Sequence, residues 1–270
     1  MSNHLLREHA PISDSNWTLL DEEARQRLST ALAARRLVDF SGPHGWERSA
    51  TNLGRVEPVA EAPCEGVTAL RRRVLPLVEV CAQFAISRAE LRDADRGAAD
   101  ADLEPLDRAA RQIAVAENRA VLHGWPDASI IGIAEASPHQ GLQLGSTADG
   151  YPRPIASAVE QLLHSGIGGP YALALGSEEY RRVAETAEHG GYPLLDHLSK
   201  ILGGEIVRAP GVEGGVVVSM RGGDFLFESG QDLSIGYLDH DTEVVNLYLV
   251  QSFSFHVATP EAAAPLKRQL

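Results

Sequence analysis

Thirty consecutive residues in the first third of this chain offer almost nothing to a core. The segment 41–70, SGPHGWERSATNLGRVEPVAEAPCEGVTAL, mixes Gly, Pro and charge with only short apolar pieces. A compact domain seldom holds so long a stretch without structure of its own. It reads as a long two-stranded arm or a mobile loop, and arms of this kind often find their packing on a neighbouring subunit. Arg71, Arg72 and Arg73 follow directly. With 24 Lys plus Arg against 37 Asp plus Glu, the formal net charge is −13. Nonspecific binding to DNA or RNA needs a basic footprint that such a surface lacks. The arginine triplet is therefore read as a salt-bridge cluster, within the chain or between subunits.

The flanking segments are more regular. Ser13 or Ser15 can cap a helix running to about Arg36, with Trp17, Leu20, Ala24, Leu28 and Ala31 on one stripe. Residues 74–86 read as one strand, with Leu77, Glu79, Cys81 and Gln83 on one parity and Val78, Val80, Ala82 and Phe84 on the other. A polar linker leads to the cleanest helix, 104–124, opened by Pro105 and stopped by Gly124. Its stripe is Leu106, Ala109, Ala110, Ile113, Ala114, Ala120 and Val121, interrupted by Glu117. The block 155–220 alternates short helices and strands, as a small α/β lobe would, and Ser177 is the expected cap of the helix SEEYRRVAET. From Val245 the chain alternates: Leu247, Leu249, Phe253, Phe255 and Val257 share one parity, while Asn246, Ser252, Ser254 and His256 lie on the other. That predicts a long antiparallel strand with one wet face. The fold class is α+β, two lobes and an arm.

Composition narrows the setting. Two cysteines, Cys64 and Cys81, exclude a disulfide scaffold and fit a reducing compartment. No signal peptide is read at the start, and no apolar run is long enough to span a membrane. The expectation is a cytoplasmic protein with no nucleic-acid or membrane partner.

Catalytic motifs are missing: no GxGxxG after a strand, no GxxxxGK[ST], HExxH, CxxC or GxSxG. His189 and His197 lie eight apart, but a metal pair there has no convergent third ligand. Asp239, His240 and Asp241 read as a solvent-facing turn, and Gly222–Gly223–Asp224 as a tight turn between strands. Neither cysteine has a basic partner fixed by sequence. The reading is an assembly subunit, not an enzyme, with no cofactor and no metal.

Several motifs carry a resemblance. Residues 5–12 with the first helix, RLVDFSG (36–42), 117–124, GGPY (168–171), 188–193 and above all RGGDFLFESGQDLSIGY (221–237) resemble the encapsulins. These are bacterial shell proteins, once described as linocin-type bacteriocins, with the HK97-like major capsid fold of tailed phages. The likeness extends over nearly the whole chain. It implies an N-terminal helix opening the peripheral domain (1–40), an extended loop and its return strand (41–86), and peripheral domain with spine helix (87–124). An axial domain (125–220) and C-terminal peripheral strands (221–270) would complete it.

The resemblance also implies a closed icosahedral nanocompartment of 60 copies or a multiple. Such shells enclose a dye-decolorising peroxidase or a ferritin-like protein, hence roles in oxidative stress or iron storage, and the cargo carries a C-terminal targeting peptide. The peptide would lie in a groove between the first helix and the peripheral domain; position and the helix stripe put Leu28, Ala31, Leu32, Val38, Asp39 and Phe40 there, with Ile235 and Tyr237 as wall residues from the C-terminal sheet. A five-fold pore would be lined by Glu188, His189, Gly190, Gly191, Tyr192 and Asp196. The paired glycines depart from the family's usual single one, so pore width does not carry over. Some relatives stack a flavin on a Trp; here Ala89 precedes Glu90 and Leu91, so no flavin is expected. The acidic balance fits pores that favour cations such as Fe²⁺. The alternatives are a phage or prophage capsid protein and a protease or bacteriocin-type activity.

Overall fold

The computed structural model describes residues 4–187 and 191–268. After a 3₁₀ turn at Arg7–His9 comes α1 (Asp14–Ala31). Ser13 is its N-cap, its Oγ accepting the Asn16 N–H at 3.2 Å. Leu20, Ala24 and Leu28 are buried along the expected stripe. The helix stops at Ala31, short of Arg36. A second 3₁₀ turn, Ala34–Arg36, replaces its last part, because the Ala34 N–H donates to Asn118 Oδ1 at 3.0 Å. A tertiary hydrogen bond has outweighed helix continuation there.

The chain then forms β1 (Asp39–Ser41), β2 (Ala50–Pro58) and β3 (Leu70–Pro76). β2 and β3 pair antiparallel with each other alone. The arm alternative is therefore the correct one. The single strand expected over 74–86 is two, because β4 (Val78–Ser87) begins anew after Leu77. Pro76 has no N–H for a ladder, and the Leu77 N–H donates to Ser49 O at 2.9 Å across the arm's root. Of the arginine triplet only Arg71 has a partner among the described residues, Glu57 at 3.4 Å.

Next come α2 (Arg88–Asp95), α3 (Glu104–Leu122), the short α4 (Ile133–Ala136), β5 (Leu142–Gln143) and α5 (Pro152–His164). Then follow β6 (Tyr171–Gly176), α6 (Ser177–Glu185), α7 (Leu194–Leu202), β7 (Ile206–Ala209) and β8 (Gly215–Ser219). β9 (Phe225–Ser229), β10 (Ser234–His240), β11 (Val244–Val257) and β12 (Ala263–Lys267) end the chain. Ser177 is the first residue of α6, not its cap; Gly176 holds that place without a side-chain bond.

β11 organises the first sheet. It pairs antiparallel with β4 from Val244 to Phe253, with β10 over Val245–Val250 and with β9 over Phe253–Val257, and β1 adds to β9 in parallel. Val245, Leu247 and Leu249 join Phe84, Ile86 and Ile235 in one apolar cluster with the stripes of α1 and α3. The expected wet face of β11 exists only in its first half. From Leu249 to Phe255 every residue is buried. Ser252 Oγ accepts the Gln231 N–H at 2.8 Å, and Ser254 Oγ meets Thr51 Oγ1 of the arm's root at 2.5 Å. The small hydroxyls are polar groups satisfied under cover.

The second sheet has the order β5-β12-β8-β6-β7 and is packed with α5, α6 and α7. β12 pairs antiparallel with β8, Ala263 opposite Val218. The C-terminal segment 221–270 is thus divided between the two sheets. Ala263, Ala264 and Leu266 are buried there.

Two histidines tie this packing to pH. Burial is the main cause lowering the pKa of His123, with Arg119 beside it adding, and burial alone lowers that of His256. The native state therefore holds these rings neutral, and the unfolded chain binds more protons below about pH 6.5. Their contribution is present above that value and is lost as pH falls toward the folded pKa. The melting temperature is expected to fall between pH 7 and pH 5, less steeply in His256→Gln.

Candidate functional site

A groove with aliphatic side chains in its walls lies between α1 and the first sheet. Its volume is about 440 Å³. Ala24, Leu28 and Leu32 come from α1 and its exit, Leu233, Ile235 and Leu249 from β10, β11 and the turn before β10, and Leu5 from the N-terminal segment. α1 can supply this wall because residues four apart stack on one face. The same periodicity places Asp21, Arg25 and Ser29 along its rim.

The rim is charged and held in place. Arg7 pairs with Asp21 at 2.7 Å and its guanidinium sits 4.1 Å from the Trp17 ring centroid. The Leu5 carbonyl accepts the Tyr237 N–H at 2.9 Å, fixing the N-terminal segment against β10. At the far end Arg35 Nη1 donates to Asp232 Oδ1 at 2.8 Å. Arg35 also donates to Glu117 from Nε and Nη2, at 2.9–3.1 Å, and to Gln251 Oε1 at 2.6 Å. Glu117 is fully buried. Burial pushes its carboxyl above the ordinary range, and Arg35 opposes that push. The residue that seemed to interrupt the α3 stripe is thus the buried half of an ion pair that anchors one groove wall.

Of the residues expected to bind a peptide, Leu28, Leu32 and Ile235 line this groove. Ala31 and Tyr237 pack partly buried against the same apolar cluster without lining it. The Tyr237 hydroxyl bonds His240 Nδ1 at 2.6 Å. Val38 and Asp39 line a different, small cleft with Ser219, Gly222 and Asp224, where Asp39 Oδ2 accepts the Gly223 N–H at 2.8 Å. Phe40 stacks on Phe227, ring centroids 5.5 Å apart, with the Arg35 guanidinium 5.1 Å from its own ring centroid. The reading missed Arg7, Asp21, Arg25, Ser29, Arg35 and Asp232. Asp21, Arg25 and Ser29 share the i,i+4 spacing of α1 and Asp232 lies in the motif GQDLSIGY, whereas Arg7 and Arg35 lie outside both, in the flanking 3₁₀ turns.

Of the expected pore residues, Glu188, His189 and Gly190 lie outside the described residues. The segment's root is a bridge between Ala187 and Pro193, and the Leu194 N–H donates to Thr186 O at 3.1 Å. Tyr192 is exposed there, with Lys200 Nζ 4.8 Å from its ring centroid. Asp196 lies exposed in the first turn of α7, and Gly191 has φ +81°.

Other candidates for chemistry are spent on structure. Asp241 Oδ1 accepts the N–H groups of Glu243 and Val244, which lowers its pKa, and Asp239 accepts from Asn246. Partial burial and Glu79 push the Cys81 thiol up, away from thiolate. Among the described residues no group of three or more His, Cys, Asp or Glu is placed to hold a metal ion. No helix among them is long and apolar enough to cross a membrane.

Comparison with known proteins places these features together. Residues 2–254 match a family model described as an encapsulating protein for peroxidase. The type 1 encapsulin shell protein of Rhodospirillum rubrum is 46% identical, over 98% of this chain and 96% of the relative. That of Brevibacterium linens is 42% identical over 98% and 99%, and that of Mycobacterium tuberculosis 39% over 98% and 99%. Among solved structures, a virus-like particle from Pyrococcus furiosus superposes with a TM-score of 0.63 at 16% identity, covering 92% of this chain and 98% of the other. A chain of Mycobacterium phage Bobi gives 0.59 at 14%, covering 89% and 91%.

Proposed function

The chain belongs to the type 1 encapsulin shell protein family, with the α+β, HK97-like capsid fold, and from that premise we propose that it closes into an icosahedral shell of 60 copies or a multiple. The shell encloses a cargo protein, a peroxidase or a ferritin-like protein, drawn in by a short C-terminal peptide. One observation carries this reading: the match to shell proteins runs through 98% of the chain, arm and groove included. A shell subunit needs self-contacts and a way to select contents, and its relatives are named for the shell alone.

The α1 groove is the seat for the peptide. Its floor is aliphatic and its rim alternates Arg7, Asp21, Arg25 and the Arg35–Asp232 pair. An extended peptide placing apolar side chains on that floor gains about 25 cal/mol per Å² buried, less the cost of ordering. One such contact is weak, and many around an oligomeric cargo are strong together. The loop rooted at Ala187 and Pro193 would edge the five-fold pore, with Tyr192 and Asp196 at its base.

Electron microscopy of the protein purified from its own cells, with mass spectrometry of what copurifies, tests both halves. Uniform closed particles around a peroxidase or ferritin-like protein are expected. Monomers without cargo would overturn the reading. For the groove, Ser29→Trp fills the exposed rim without touching the core. Particles are expected to form normally while copurifying cargo falls about tenfold or more, the equivalent of roughly 1.4 kcal/mol per site. Unchanged loading would move the peptide elsewhere.

A further inference from the structure

Two histidines from different elements line one shallow cleft beside the second sheet. His139 stands in the segment before β5, and His164 is the last residue of α5. With Ser157, Glu160, Gln161 and Ser165 they bound a volume of about 380 Å³. Residues three and four apart on a helix share a face, so Gln161 and His164 stand together on α5. His139 is brought to that face from outside the helix. None of these residues lines the groove between α1 and the first sheet.

Main-chain carbonyls decide which nitrogen of each ring is free. His139 Nε2 lies 3.0 Å from the carbonyl oxygen of Glu261, in the 3₁₀ turn before β12. His164 Nδ1 lies 2.9 Å from the carbonyl oxygen of Glu160. A carbonyl oxygen only accepts, so each of these two nitrogens carries a proton and donates it. In the neutral rings His139 Nδ1 and His164 Nε2 therefore present lone pairs. Neither has a hydrogen-bond partner among the described residues. A third acceptor stands with them, because Gln161 Oε1 is buried and also without a hydrogen-bond partner. Buried polar atoms are nearly always paired. Three acceptors cannot satisfy one another, and a water has only two protons to offer; a cation can take all three lone pairs.

We propose that His139 Nδ1, His164 Nε2 and Gln161 Oε1 bind a divalent transition-metal ion of the zinc class. Imidazole nitrogens favour such ions, whereas calcium and magnesium take sets of oxygens. A ring that donates its other N–H to a main-chain carbonyl is the common support of a metal-bound histidine, since it fixes tautomer and orientation. Glu160 contributes that carbonyl and not its carboxylate: among the described residues no three His, Cys, Asp or Glu side chains are placed around one ion. Water completes the coordination, so the site is open. The bound ion would tie the segment before β5 to the last turn of α5.

The test uses the full-length protein, stripped with a chelator and titrated with zinc chloride. Calorimetry should find one saturable zinc site per chain. Changes behind a metal ligand alone cost about 10–100-fold in affinity, so His139→Ala and His164→Ala, which remove a ligand, should each cost roughly tenfold or more. Gln161→Leu should also weaken binding, and Ser165→Ala should leave it unchanged. Circular dichroism checks the fold of each variant, and labelling of the unmutated chain gives a second reading that needs no variant. Diethyl pyrocarbonate carbethoxylates accessible imidazole nitrogens, and digestion with mass spectrometry locates the label. His139 and His164 should label without zinc and be protected together at one equivalent. His9, exposed and outside the cleft, should label equally in both. Protection of one histidine without the other, equal protection of His9, or no label on the pair before zinc is added would overturn the proposal. Folded His139→Ala and His164→Ala chains that bind zinc as the parent does would overturn it too.

Discussion

Replacing Arg35 with alanine is expected to destabilise the fold by about 3–5 kcal/mol, because it strands a buried carboxylate. Glu117 has no exposure, and three of the hydrogen bonds reaching it come from Arg35. The guanidinium also holds Asp232 and Gln251, and lies 5.1 and 5.4 Å from the ring centroids of Phe40 and Phe227. Its loss leaves an uncompensated charge and a gap over two aromatic rings at once. For a chain of this size the melting temperature should drop by roughly 10 °C. Removing both charges together, as Arg35→Met with Glu117→Leu, should recover most of that, since well-packed apolar groups often replace a buried pair at little cost. Arg36 is the control one residue away. It pairs with Glu205, both side chains around half exposed, so Arg36→Ala should cost no more than about 1 kcal/mol. Denaturant midpoints of the four proteins decide it: similar losses for Arg35→Ala and Arg36→Ala would mean that Glu117 finds other partners. Because Arg35 and Asp232 also line the groove, Arg35→Ala should lower cargo loading as well.

That network shows what sequence reading reaches. The α3 stripe was legible because helical period and burial coincide, and all of its named residues are buried. Glu117 looked like a flaw because its partner Arg35 lies 82 residues earlier. The two parities of β11 were legible, but not the cover on Ser252 and Ser254, which comes from the arm's root and the turn before β10. In the groove, aliphatic positions followed from the helix stripe and a specific motif. The rim charges did not, since charge on a helix reads as solvated until a facing wall is known. Val38, Asp39 and Phe40 follow Leu32 closely in sequence but not in space, because the turn Ala34–Arg36 redirects the chain to pair β1 with β9. The crossing of β12 to the second sheet left no pattern in five residues, AAPLK.

Deleting the arm should separate folding from assembly completely. Its two ends are already adjacent, because the Leu77 N–H donates to Ser49 O at 2.9 Å. A short Gly-Ser link can therefore replace 50–76 without pulling on β4. The two apolar clusters hold no residue of the deleted stretch, so the body keeps its core. The cost within the chain is confined to the root: Ser254 loses Thr51, and the second half of β11 regains solvent on one face. That is a loss on the order of 1 kcal/mol, the worth of one hydrogen bond with partial uncovering. Between chains the loss is of another size. A stable interface buries about 1,600 Å² in all, and the arm contributes an extended element with Val56, Leu70 and Val74 exposed. The deleted chain should melt as a cooperative body and sediment as a monomer or small oligomer under conditions where the intact chain forms closed particles. Particles of normal size from the deleted chain would show that the two sheets alone carry closure. An insoluble product would show that the arm shields its own body, and the Thr51–Ser254 contact would then be the place to look. Soluble small oligomers would assign the arm to contacts between copies, which is what an exposed aliphatic face on a rooted hairpin physically requires.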